Sequence, residues 1–289
     1  MRSACIDIGS NTTRLLVAEL NHGRLREVRA ERVFTRLRVR AGSISAEKID
    51  DLCATVASQV RLAHEAGAQH VRVVATAAVR SATNGDELCA AIRAAAGVPV
   101  SVLSGEDEAR LSFLGATRAL GDTPAGVVAV VDVGGGSTEL VCGTAEGGVR
   151  WSTSLRVGSG LLADLHMRSD PPSPAELTRV RAHAAEAFAA LDAPRTVAAF
   201  AVGGSATSLR RLVGAVLDNA TLGRAIDEVC AEPADDVARR LDLHPERVRV
   251  LPAGMIVLDA ACAFLGLPLQ IAGGGLREGV VLETLSFTD

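Results

Sequence analysis

Apolar and polar positions change their period several times along this chain, and each change marks an element. Residues 3–8 read as a short apolar strand that carries Asp7 at its end; a Gly-Ser-Asn turn follows, then a second strand over 15–20. Asn21-His22-Gly23 signals a hairpin into a third, arginine-rich strand running toward Leu37. From Ser45 to Gly67 the spacing becomes helical. Ile49, Leu52, Val56, Val60 and Ala63 share one face, Ser45 caps the start, and Gly67 ends it. A strand over 70–77, a helix over about 85–96, a strand over 98–103 and a helix over about 106–120 complete a βββαβαβα order.

Gly121-Asp122-Thr123-Pro124 is a boundary signal, and the order then restarts. Strands are predicted over 127–132 and 138–142, and Glu146-Gly147-Gly148 makes a hairpin into 149–157. Ser173-Pro174-Ala175-Glu176 is a capping box with proline at the first helical position, opening a helix to about Leu191. A strand over 196–202 precedes a helix that Ser205 opens. Residues 221–249 form an inserted helical stretch, and 252–265, 267–272 and 276–285 read as helix, strand, helix. The restart is an internal repeat. ACIDIGSNTTRLLV (4–17) lies over AVVDVGGGSTELVC (129–142) at a constant offset of 125, matching Asp7 to Asp132, Gly9 to Gly134, Thr13 to Thr138 and Leu15 to Leu140. Two similar α/β halves are expected, 1–122 and 123–289, each a mixed sheet with helices on its faces, with ligands bound beyond the strand ends between them.

Composition narrows the classes. Hydrophobic residues are 48% and charged residues 22% of 289, which is globular. Aromatics are 2% with no tyrosine, so the core is built from Ala, Val, Leu and Ile, and stacking platforms for single-stranded nucleic acid are not expected. The net charge of −4 supplies no basic field to recruit a polyanion. Too few apolar residues follow Arg2 for a leader, and no 18 uninterrupted apolar residues predict a membrane span. The six cysteines include no Cys-x-x-Cys pair and read as small core residues of a cytoplasmic protein; the six histidines are too scattered for a zinc site. Lys48 is the only lysine, and no P-loop motif occurs.

Two segments carry the chemistry: Asp7-Ile8-Gly9-Ser10-Asn11-Thr12 and Asp132-Val133-Gly134-Gly135-Gly136-Ser137-Thr138-Glu139. Glycines at a strand-to-strand turn let backbone N–H groups close on an oxygen anion, Ser, Thr and Asn add donors, and each aspartate is placed to hold a hydrated Mg²⁺ beside a phosphate. One copy reads equally well as a tight hairpin; two matched copies favour a phosphate site. Gly203-Gly204-Ser205 and Gly273-Gly274-Gly275 each end a strand and open a helix, where free N–H groups bind anions or where glycines simply permit close packing. In Ser104-Gly105-Glu106-Asp107-Glu108-Ala109-Arg110, three acids at a helix start suit the dipole; alternatively one of them is a general base.

DIGSNTTRLLV (7–17), TAAVRSATN (76–84), SGEDEARL (104–111), DVGGGSTEL (132–140), VGGSATSL (202–209) and GGGLREGV (273–280) occur in the order seen in exopolyphosphatase/guanosine-pentaphosphatase proteins. The chain resembles that family throughout its length. The resemblance implies two ribonuclease-H-like, actin-like halves of the actin, sugar-kinase and heat-shock-chaperone superfamily flanking a cleft. It implies Glu108 as catalytic base, Asp132 and Glu139, with Asp7, as metal-associated acids, and Mg²⁺ as cofactor, Mn²⁺ being the alternative. Arg80 and Asn84 match a phosphate-facing segment. Arg14 is placed either to face substrate or as an exposed strand arginine. Longer family members continue into helical C-terminal domains, and the stretch 35–38 reads Thr-Arg-Leu-Arg where Thr-Arg-Leu-Gly is expected. Both departures bear on substrate length and grip and not on the cleavage chemistry; the first implies a short form that prefers short polyphosphate.

The expected reaction is removal of terminal orthophosphate from inorganic polyphosphate, with guanosine pentaphosphate as the alternative substrate. Expected partners include neither nucleic acid nor membrane, and a homodimer is one assembly state left open. An actin-like ATP-dependent kinase and a non-catalytic alarmone sensor are the readings of other classes. Arg24, Arg26, Arg32, Arg36, Arg38 and Arg40 share a strand parity, bulges permitting, either as edge protection or as a phosphate track.

Overall fold

The computed structural model describes residues 1–37, 42–120 and 124–286, and the chain parts into two units. Unit 1 is Met1–Ala119 together with Gly274–Asp289; unit 2 is Leu120–Gly273. The boundary signal at 121–123, and Arg38 and Arg40, lie outside the described residues.

In unit 1, β1 (Arg2–Ile8), β2 (Thr13–Asn21) and β3 (Arg24–Val33) form an antiparallel meander. After α1 (Ala46–Glu65), β4 (His70–Ala75) pairs parallel to β1. A single turn of helix, α2 (Ala77–Arg80), then α3 (Gly85–Ala96), β5 (Val100–Val102) and α4 (Gly105–Ala119) follow, in a sheet ordered β3-β2-β1-β4-β5. Alternation sorts the sheet's side chains: Ala4, Ile6, Leu15 and Val17 pack with Leu52 and Val56 of α1 and Leu88 and Ile92 of α3. The cap predicted at Ser45 is present, with Lys48 N–H donating to Ser45 Oγ at 3.3 Å.

The third strand stops at Val33, short of Leu37, which turns inward to the core. A bulge also falls between Val17 and Ala18, which face Arg29 and Glu27 and leave Val28 as the extra residue. The arginines therefore do not share a face. Arg24, Arg26 and Arg29 stand opposite Asn21, Glu19 and Val17, whereas Arg32 stands opposite Arg14 on the other face.

Unit 2 repeats the meander with β6 (Val128–Val133), β7 (Thr138–Thr144) and β8 (Gly148–Leu155). Two helices follow, α5 (Ser159–His166) and α6 (Pro174–Ala189), then β9 (Ala198–Val202), parallel to β6. The remaining elements are α7 (Gly203–Val213), β10 (Val216–Leu217), α8 (Asn219–Val229), α9 (Ala234–Leu241), α10 (Pro245–Leu265) and β11 (Leu269–Ile271). The sheet runs β10-β11-β9-β6-β7-β8, which is the order of unit 1 with β10 added antiparallel at one edge.

Three helix boundaries differ from expectation. α5 has no sequence cap beyond Gly158 and was not predicted. α7 begins at Gly203, two residues before Ser205. α10 begins at Pro245, and Pro252 lies inside it, tolerated where Val248, Leu251 and Met255 are buried around it. By length and composition α10 is apolar enough to cross a membrane, but most of it is buried as the central core helix of unit 2. The six cysteines are free thiols.

The last helix, α11 (Leu276–Ser286), belongs to unit 1, whereas the halves expected from the repeat placed it in the second. Leu276, Val280, Val281 and Leu285 pack with Cys5, Leu16, Ala18 and Leu111. Glycine makes that packing: a Cβ on Gly115 would lie 2.0 Å from Gly275 O, and one on Gly279 would lie 1.9 Å from Leu111 O. Gly274 has the same structural use, since a Cβ there would lie 2.4 Å from Gly115 O, whereas one on Gly273 would meet nothing within 4 Å.

Candidate functional site

The two repeated turns are built alike. Gly9 N–H donates to Thr12 O at 3.0 Å, and Gly134 N–H donates to Ser137 O at 3.0 Å. Each turn joins two antiparallel strands whose end residues face one another. Asp7 stands directly opposite Arg14, and Asp132 directly opposite Glu139. The third strand extends both rows, with Arg32 beside Arg14 and Ser154 beside Glu139. Unit 1 therefore carries the row Asp7–Arg14–Arg32, and unit 2 the row Asp132–Glu139–Ser154.

In unit 1 the turn presents donors. Asn11 Nδ2 and Arg14 Nε are buried without a hydrogen-bond partner. Burial, then the nearby Arg277 and Arg32 guanidiniums, pull Arg14 down to about 9 from the usual 12.5. Thr12 is buried, Ser10 is half-buried, and Asn11 O accepts the Arg36 N–H at 3.1 Å. At the start of α4 the three acids separate. Glu106 and Asp107 are exposed, and Asp107 is tied to Ser104 at 2.8 Å. Glu108 is 7% exposed, and Arg80 Nη1 lies 3.2 Å from its Oε2 while also donating to Leu103 O at 2.6 Å. Arg110 projects elsewhere, to Glu283 at 2.7 Å. Asn84 uses its amide on Ile44, accepting the N–H and donating to the carbonyl, each at 2.9 Å. That clasp, and not a free donor, is what the structure gives it.

In unit 2 the turn is held from behind by the start of α5. Ser159 N–H and Oγ both donate to Gly134 O, at 2.9 and 3.1 Å, and Leu161 N–H donates to Gly135 O at 2.8 Å. Gly158 lets this happen, since a Cβ there would sit 2.6 Å from the Gly135 and Gly136 backbone. Thr138 Oγ1 donates to Val157 O, so its hydroxyl holds the same strap; Ser137 is buried beside it. Glu139 is 2% exposed and accepts from Ser154 Oγ at 2.8 Å. Gly203, at φ +82°, brings its backbone against Asp132, whose Oδ1 would lie 2.2 Å from a Cβ. Buried Arg247 of α10 lies over Gly204, 2.6 Å from where a Cβ would be, and Ser205 Oγ is buried without a partner.

A carboxylate pair on one row suits Mg²⁺, which takes one or two protein carboxylates and keeps several waters. Asp132 and Glu139 meet that description. Among the described residues no group of three or more His, Cys, Asp or Glu converges on a point, and Asp7, the third acid expected at the metal, is a residue of unit 1. Arg247, Ser154 and the strap at 157–161 lie beyond the motifs, whereas Arg277 stands inside GGGLREGV (273–280) without being singled out there. Only the strap left a sequence signal, the Gly158-Ser159-Gly160 run.

Comparison with known proteins gives a consistent result. The Ppx/GppA phosphatase family matches residues 16–287. Exopolyphosphatase 1 of Mycobacterium leprae is 30% identical over 99% of this chain and 90% of its own length. The crystal structure of the Aquifex aeolicus member of the Ppx/GppA family superposes with a TM-score of 0.83 at 29% identity, covering 100% of this chain and 99% of that one. An exopolyphosphatase from Cytophaga hutchinsonii, at 21% identity and a TM-score of 0.87 over 99% and 98% of the two chains, shares the fold. With its two mixed sheets and actin-like fold, the chain belongs to the Ppx/GppA phosphatase family.

Proposed function

We propose that this protein is an exopolyphosphatase that hydrolyses the terminal phosphoanhydride of inorganic polyphosphate and prefers short chains. The observation that carries the reading is the pair of matched turns, one ending in a cationic row and the other in an acidic one. A polyphosphate end and its counter-cation need both. The relatives named exopolyphosphatase support the same substrate class.

On this reading the glycine-turn N–H groups, Asn11 and Ser137 bind phosphoryl oxygens. Asp132 and Glu139 hold Mg²⁺, which when bound neutralises charge on the phosphates. Glu108 accepts a proton from water as the water oxygen attacks the terminal phosphorus; the anhydride P–O bond breaks, and the shortened chain leaves. The Arg80 guanidinium orients the Glu108 carboxylate. Positioning and charge complementarity supply most of what phosphoryl transfer needs. A short-chain preference fits the state of the β3 arginines. Arg26 is paired with Glu19, and Arg29 with Glu31 and Glu65, so their charge is balanced within the sheet edge.

Orthophosphate release from tripolyphosphate, from chains of hundreds of units, from guanosine pentaphosphate and from ATP, each with and without Mg²⁺, tests this. Mg²⁺-dependent release, fastest from tripolyphosphate, is expected. Release from guanosine pentaphosphate alone would replace the substrate, and phosphoryl transfer to an added acceptor would replace the reaction class.

A further inference from the structure

We infer that His166 and His183 are positioning residues for the second glycine turn: their hydrogen bond fixes the far end of α5, whose near end straps that turn, and a second proton on the pair releases it. The inference rests on the reading above that this turn holds phosphoryl oxygens, and on the local arrangement for the latch itself.

α5 has only eight residues, with Gly160 inside it and no side-chain cap at Gly158. A helix of that length has little stability of its own, so its place is set by what it docks against. Leu162 and Ala163 are buried in the core of unit 2. The first turn of α5 carries the strap, with the Ser159 and Leu161 N–H groups on Gly134 O and Gly135 O. Its last residue is His166, whose Nε2 lies 3.0 Å from Nδ1 of His183 on α6, the rings edge to face. Arg179, also on α6, donates to His166 O at 3.4 Å. Ser159 and His166 are about 10 Å apart along the helix axis, so a shift at one end is carried to the other.

A hydrogen bond between two imidazoles needs one donor and one acceptor. Two neutral rings supply that, and so does a pair with one added proton, which the C-terminus of α5 favours through its dipole. Two protonated rings have only donors, so the bond is lost and like charges face each other. The surroundings set where this happens. Burial first, then His183 and Arg179, pull His166 below its ordinary 6.5. Glu176 of α6 is engaged with the Arg168 and Ser169 N–H groups, at 2.7 and 3.2 Å. From α10, Asp259 pairs with Arg181 at 3.3 Å and Arg247 lies over Gly204. Asp164 of α5 itself is exposed. Among the described residues no third His, Cys, Asp or Glu completes a metal-ligand group with the pair, and the Arg179 guanidinium opposes a cation there. A histidine held below its ordinary value takes its proton less readily in the fold than in the unfolded chain. The pair's contribution is therefore complete above about pH 6.5 and is lost as pH falls through the histidine range.

The deciding variant is His166→Gln, whose side-chain amide reaches the place of the imidazole Nε2 and keeps a hydrogen bond to His183 without titrating. His183→Asn is the equivalent replacement from the other side, and His166→Phe removes the bond at every pH. Hydrogen exchange of the strap, 157–163, is measured in each full chain at about pH 7.5 and about pH 5.5, the two sides of the histidine range. Wild type is always compared with His166→Gln at the same pH, which cancels the intrinsic pH dependence of exchange. On the acid side the wild-type strap should exchange about fivefold faster than that of His166→Gln or His183→Asn, the loss of one hydrogen bond. On the other side the three should agree within about twofold, and His166→Phe should be fast on both. KM for tripolyphosphate should follow the same pattern, with an acid rise about fivefold larger in wild type than in His166→Gln and an unchanged ratio of their kcat values. Equal exchange in wild type and both amide variants on the acid side overturns the latch; an exchange difference without a KM difference overturns the positioning role. If the wild type releases no orthophosphate at all, the hydrolase reading fails by itself. Exchange then still decides the latch, and calorimetric affinity for tripolyphosphate takes the place of KM: an acid loss of affinity larger in wild type than in His166→Gln sustains the positioning role, and equal or absent binding removes it.

Discussion

Unit 1 and unit 2 use one turn to hold opposite charges. Both close Asp-x-Gly onto a hydroxyl residue three positions on, with the same 3.0 Å backbone bond. The position that faces the aspartate is Arg14 in one and Glu139 in the other, at the same offset that relates the turns. The next strand adds Arg32 to the first row and Ser154 to the second. The backbone geometry of the two turns is the same; one side chain on the neighbouring strand sets whether the row beside it is cationic or acidic. The turns also differ in support. A helix start straps the second from behind, whereas the first is tied to the segment after β3, through the Arg36 N–H to Asn11 O and the Thr13–Thr35 hydroxyl contact at 3.1 Å.

In the proposed mechanism the general base belongs to neither row, so the largest effect is expected from outside both. Glu108→Gln should cut turnover by roughly 10²–10⁴ while leaving folding and tripolyphosphate affinity near wild type. Steady-state kinetics beside calorimetry would show this, and near-normal turnover would remove Glu108 from the reaction. Asp132→Asn should raise the Mg²⁺ concentration for half activity by about 100-fold, an acidic-row effect absent from Arg32→Gln. If both variants shift the Mg²⁺ titration equally, the division of charge between the turns is wrong. Gly158→Ala should raise KM about tenfold or more, because a Cβ 2.6 Å from Gly135 and Gly136 must displace the strapped turn. A kcat loss with unchanged KM would show that the strap does not shape the binding surface. The smallest effect belongs to Ser154→Ala, about tenfold in Mg²⁺ affinity through the lost 2.8 Å bond to Glu139. No shift would mean that Glu139 is held by its burial alone.

Much of this was legible before any coordinates. The repeat, the meanders and the parallel βα units follow from a period of two giving way to a helical period, and both turns were visible because glycine, aspartate and threonine recur together. Glu108 was separable from Glu106 and Asp107 only by resemblance; burial shows why, since it alone points inward. The parity of the β3 arginines misled because a bulge leaves no residue-type mark: Val28 is an ordinary strand residue. Arg247 was invisible, and Arg277 passed unremarked inside its motif, for a different reason. They reach their turns across long sequence separations, through helix packing that no local pattern encodes. Asn84 is committed to Ile44 in the structure, and a side chain that clasps a backbone and one that would grip a phosphate look alike as a letter.

The glycine contact between α4 and α11 also bears on protein engineering. The chain leaves unit 1 at Ala119 and rejoins it at Gly274, where a Cβ would lie 2.9 Å from that of Ala119. Departure and return are therefore neighbours, the condition under which one domain can be spliced into another. Residues 120–273 are, in that sense, an insertion between two neighbouring points of unit 1. Replacing them with a short linker, or with a foreign domain of adjacent termini, is expected to leave unit 1 able to fold, which circular dichroism of the swapped chain would check.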